Sequence, residues 1–163
     1  MIVRLSLSEM LLAVQIAGQQ QVQNLKQGRQ ARYGAPKDFG SAVGICLTGI
    51  LGEMATAKAL DKFWSGNVGQ HGTTDVGGQH GVEVRSRTET GRNLILHPRD
   101  SDDKKYVVAV TQNAPDIHLV GWCYGRDGKK QEFWQEFTGR PCFFVPDEAL
   151  QPIEKILEKR EKK

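Results

Sequence analysis

The spacing of apolar residues changes character near residue 66, and that change constrains the fold more than any other feature of the chain. Before it, apolar side chains recur at three- and four-residue steps, the period of one helix face; after it, short β-branched and aromatic runs are separated by glycine-rich turns. Two helices followed by a set of strands must therefore share one core. At 163 residues the chain is long enough for one ordinary domain and too short for two comfortable ones, so a single domain over residues 1–163 is expected. The fold class implied is α/β, with a mixed sheet flanked by helices.

Ser6 and Glu9 have the spacing of a capping box, which starts a helix at residue 6. Leu11, Val14, Gly18, Val22 and Leu25 then form a narrow apolar stripe among glutamines, up to about Gly28. A stripe so thin needs a partner. Packing on the domain's own body is the default for a short stripe, and a homodimer through this N-terminal helix is the alternative. Residues 28–40, GRQARYGAPKDFG, form a basic loop in which Arg29 and Arg32 either touch phosphate or are simply solvated. A second helix runs over 41–64 and ends where Gly66 suits a left-handed cap. Strands are expected at 82–87, 94–97, 106–110, 117–123 and 142–145, with a short helix at 130–137. A final helix begins at Pro146-Asp147, leaving 151–163 as a charged, solvated tail.

Composition excludes some classes. Cys46, Cys123 and Cys142 are odd in number and in no C-x-x-C spacing, which argues against a disulfide framework or a zinc clip and for reduced thiols in the cytosol. No apolar run is seen to approach the roughly 18 to 20 residues that span a bilayer, so no membrane role is expected. Twenty-two basic residues against 19 acidic, a net charge of +3, permit a polyanionic partner without requiring one.

The chemistry concentrates on three acids. Helical phase puts Glu53 on the same face as Ile50, Ala57, Leu60 and Trp64, away from Lys58 and Lys62. An ionised carboxylate facing a core needs a metal, a base or a hydrogen-bond network, unless it lies at the core's edge with its head in water. In VEVRSR, period two sends Val82 and Val84 to one face and Glu83, Arg85 and Arg87 to the other. Asp75 lies eight positions earlier in the turn-prone TTDVGGQHG, so a hairpin would return it beside Glu83. Two neighbouring carboxylates repel unless a divalent cation separates them, and hard oxygen donors select Mg²⁺ or Mn²⁺. The arginines admit a plainer reading, as cross-strand ion pairs with these acids.

Gly52-Glu53 in a helix, then Asp75, then Glu83-Val84-Arg85 in a strand resembles the PD-(D/E)XK nuclease superfamily, and GEMATAKAL…D…EVRSR is especially similar to small nuclease-like proteins of phages and prophages. The resemblance covers roughly residues 41–146, with YVVAV and IHLVGWCYG like the strands that commonly follow the motif. It implies a restriction-endonuclease-like αβββαβ core carrying an extra N-terminal helix. It also implies metal-dependent hydrolysis of phosphodiester bonds, DNA rather than RNA as partner, and the host cytosol as the compartment of a phage-encoded chain. Asp75 and Glu83 would hold Mg²⁺ or Mn²⁺, with Glu53 as a direct or water-mediated ligand. The motif's lysine falls at Arg85, which keeps the charge but is a poor proton acceptor. The alternative is therefore a nuclease fold without turnover that binds nucleic acid or a host defence protein. Arg87 would hold the nucleic-acid backbone, joined by Arg29, Arg32, Arg92 and Arg99. His71 and His80 flank Asp75 as candidate bases, whereas Lys104 and Lys105 read as part of a solvated turn, and Trp64, Trp122 and Trp134 read as core.

Overall fold

The computed structural model describes residues 1–29, 38–64, 66, 74–78, 81–136, 139 and 141–158. In chain order the elements are β1 (Ile2–Arg4), α1 (Leu7–Lys26), α2 (Phe39–Ala59), β2 (Val82–Arg87), β3 (Leu94–Leu96), β4 (Lys105–Val110), β5 (Asp116–Tyr124), α3 (Gly125–Gly128), β6 (Trp134–Gln135), β7 (Cys142–Val145) and α4 (Glu154–Glu158). The fold is mixed α/β. Its main sheet has the order β1-β5-β4-β2, with β2 and β4 parallel and the other pairs antiparallel. A second, antiparallel sheet, β3-β7-β6, was not anticipated as a separate unit.

The helix starts follow from their caps. Ser6 accepts from the Glu9 amide, Glu9 accepts from the Ser6 amide, and Asp38 accepts from the Ser41 amide at 2.8 Å. α2 stops earlier than Gly66. Asp61 takes the left-handed conformation at φ 46°, and the Asp61 and Lys62 amides donate back to the Lys58 and Ala57 carbonyls, which satisfies two acceptors of the last turn. α2 also corrects the expectation about apolar runs: over 21 residues its best window reaches a hydropathy of 1.4, long and apolar enough to cross a membrane by length and composition. Within the fold its C-terminal half lies in the core, with Ile50, Leu51, Met54, Ala55 and Ala57 buried.

Gly52 sets how closely α2 approaches the main sheet. A Cβ there would lie 2.0 Å from Ser86 Oγ and 2.9 Å from the Ala109 Cβ, so only glycine permits this spacing. Val82, Val84, Val107 and Ala109 face α2 and join the larger core. Tyr106, Val108 and Cys123 face the other way, into a smaller core with Leu94, Leu96 and Val145. Trp122 is fully buried, and Trp64 and Trp134 are partly so.

The stripe on α1 does not pack where the simplest expectation put it. The residues of α1 buried against the body are Ala13 and Ala17, whose small side chains allow a close approach to α2. Leu11, Val14 and Leu25 remain 61%, 50% and 66% exposed. Two further expectations change. Residues 131–133 form a single 3-10 turn leading into β6 rather than a helix, and Asp147–Ala149 is another such turn. Gln151 and Pro152 interrupt the last helix, because Gln151 pairs with the Trp122 backbone and the Pro152 carbonyl accepts from Trp122 Nε1 at 3.0 Å.

Candidate functional site

The three acids lie within electrostatic reach of one another at β2, the outer strand of the main sheet. Val76 pairs antiparallel with Val82, so the chain does fold back as the turn residues suggested. Asp75 is thereby delivered to the edge, where its Oδ2 accepts from the Val84 amide at 2.8 Å. Glu53 comes from the last two turns of α2, and its Oε2 accepts from Trp64 Nε1 at 2.9 Å. Glu83 lies on the opposite face of β2 from Val82 and Val84, in an ion pair with Lys104.

Burial dominates the electrostatics. Loss of solvent pushes the Glu53 carboxyl up to about 7, and the charges of Asp75 and Glu83 push it in the same direction against the pull of the Trp64 N–H. Asp75 is pushed up to about 6 by burial and by Glu83, opposed by the Val84 amide and by the positive charges of Arg85 and Lys104. The three carboxyls are thus within electrostatic reach of one another. They are not drawn together as ligands: among the described residues no group of three His, Cys, Asp or Glu side chains stands at metal-holding spacing. Glu53 is turned to Trp64 and Glu83 to Lys104.

Lys104 is the residue that sequence reasoning placed wrongly. It precedes β4, and the parallel pairing of Glu83 with Tyr106 brings it to the Glu83 face of the sheet. Its side chain is about one-third exposed against one-seventh for Glu83, so it stands at the mouth of the site rather than in a free turn. The strand parity of Tyr106 and Glu83 carried a signal, but only the register between the two strands turns parity into contact.

The arginines have other engagements. Arg85 Nη2 lies 3.5 Å from Asp100 Oδ2 and its guanidinium sits 5.3 Å from the centre of the Tyr106 ring. Asp100 is itself held by the His97 amide at 2.9 Å. Arg87 turns into the protein, with Nη2 2.6 Å from Asp147 Oδ2, and its Nε and Nη1 are buried with no hydrogen-bond partner among the described residues. The plainer reading of these arginines as ion-pair partners thus has the right chemistry but different acids. Arg92 pairs with Glu89 in the turn after β2, while Arg29 and Arg99 are exposed. Arg32, His71 and His80 lie outside the described residues.

As an arrangement, the site offers three oxygen-donor side chains around one strand edge, with two cations, Arg85 and Lys104, close enough to Asp75 to stabilise its charge. The donors are hard, and their types suit Mg²⁺ or Mn²⁺ rather than zinc. Searches against protein-family models, curated proteins and solved structures found no match for this chain.

Proposed function

We propose that the chain is a Mg²⁺- or Mn²⁺-dependent endonuclease acting on DNA in phage or mobile-element DNA processing, and that α2, the Val76–Val82 bridge, β2, β4 and β5 form a divergent restriction-endonuclease-like core. The observation that carries this reading is the raised pair of carboxyls, Glu53 and Asp75, beside Glu83 and two cations. Carboxyls held above their ordinary range by burial and mutual repulsion are groups whose ionised forms gain from an added divalent cation. Asp75 and Glu83 would hold it, with Glu53 directly or through water. A bound Mg²⁺ or Mn²⁺ supplies a Lewis acid that lowers the pKa of water and offsets phosphate charge.

The chain's own side chains do the rest. Lys104, released from Glu83, takes the position of a cation that binds a phosphate oxygen, and its ammonium can exchange a proton as a guanidinium cannot. Arg85 adds a fixed charge on the same strand face and contributes to holding the substrate phosphate. Trp64 orients the Glu53 carboxyl through Nε1.

The test is nicking of supercoiled plasmid by the purified chain in Mg²⁺ or Mn²⁺. EDTA and Glu83→Ala are expected to abolish it, and Lys104→Met to slow it by about 10²- to 10³-fold, the usual cost of losing a charge-stabilising donor. No cleavage across varied DNA and RNA substrates would sink the hydrolase reading. The ion pairs that occupy Glu83 and Arg85 favour one second reading, a nuclease-like module that binds nucleic acid or a host defence protein without turnover. Metal-independent DNA binding in the absence of cleavage would select it.

A further inference from the structure

We infer that the exposed stripe of α1 is the contact face of a homodimer, in which the α1 helices of two copies lie antiparallel about a twofold axis near residue 16. Leu7, Leu11, Val14, Gly18, Val22 and Leu25 follow one another at steps of four, three, four, four and three. At about 100° per residue they fall within roughly 40° of a single line along the helix, about 120° around it from Ala13 and Ala17. The body-facing and outward-facing sides of α1 are therefore distinct. The outward side is a seam of the kind that two helices close between them.

A twofold contact requires residue i to meet j and j to meet i. The stripe satisfies this about its own midpoint: an antiparallel copy sets Leu7 against Leu25, Leu11 against Val22, and Val14 against Gly18. A Cβ built on Gly18 meets nothing within 4 Å, so the centre of the seam is an open notch. The Val14 side chain of the second copy is the knob that fills it.

Charge identifies the occupant as a second copy. Charged residues make up 25% of the chain, yet none lies between Glu9 and Lys26. Two copies thus meet without like charges facing each other. The antiparallel arrangement also opposes the helix dipoles of the two copies, while Glu9 stays on the other side of α1 in its ion pair with Lys58. A helix lying on an anionic membrane would carry Lys or Arg beside its apolar stripe, whereas this one carries exposed Gln15 and Gln19.

Sedimentation velocity of the full chain at micromolar concentration tests the inference, which stands apart from the nuclease reading. The expected species is a dimer of 18.1 kDa protomers. Val14→Glu and Val14→Lys, each alone, put like charges at the seam and are expected to weaken association at least about tenfold, while the two mixed in equal amounts re-form a dimer. Val14 is half exposed, so both variants should keep the wild-type circular dichroism. A monomeric wild type, two variants that still dimerise alone, or variants whose mixture stays monomeric would each overturn it, as would association seen only on anionic vesicles.

Discussion

Glu53 and Asp75 make the chain's stability depend on pH in a direction opposite to that of an ordinary salt-bridged carboxylate. Their usual values of 4.5 and 3.8 rise to about 7 and about 6, so the folded state binds more protons than the unfolded chain. The stability this preference confers is complete below the unfolded values and is lost as pH climbs through the folded ones. In EDTA, calorimetry should find the melting temperature falling between about pH 4.5 and 7, with a loss on the order of 1–3 kcal/mol from Glu53. Glu53→Gln, which keeps an acceptor for Trp64 Nε1, should flatten much of that slope; a wild-type profile that rises over this range would contradict the assignment. At the same scale, Lys104 shows where residue-level reading stops. Its partner lies 21 positions away on a parallel strand, and no local pattern encodes which strand a lysine will meet.

At the scale of elements, caps and strand runs were legible because they depend on neighbours in sequence. Ser6 and Glu9 set the start of α1, and the faces of β2 followed from alternation alone. The end of α2 was not legible, since Asp61 supplies a left-handed turn more often given to glycine. Nor was the orientation of α1: its apolar stripe was plain, but the side that packs is chosen by Ala13 and Ala17, whose small size rather than hydrophobicity lets two helices approach. The candidate acids were legible for three different reasons: Glu53 as a carboxylate on an apolar helix face, Glu83 from strand alternation and Asp75 from its place in a turn. Close approach also governs Gly52. Gly52→Ala should destabilise the fold by about 1–3 kcal/mol in urea denaturation, since the Ala109 Cβ cannot swing aside. Adding Ser86→Ala should restore part of the loss by removing the nearer obstacle; full restoration would show that the helix–sheet spacing is not fixed at Ala109.

For the whole molecule, the main sheet belongs to two cores at once. Within β4, Val107 and Ala109 pack toward α2 while Tyr106 and Val108 pack toward β3 and β7. Neither core can be opened without exposing a strand of the other. Urea unfolding followed by tryptophan fluorescence and by far-ultraviolet circular dichroism should therefore coincide in one transition; separated midpoints would mean that the smaller core unfolds on its own. Asp75 has a consequence at this scale as well. By taking the Val84 amide, its side chain masks a donor on an outer strand that would otherwise be available to a strand from another molecule. Only Oδ2 is used in this way, so the same side chain that would offer its other oxygen to a cation also closes part of an edge that a foreign strand could join.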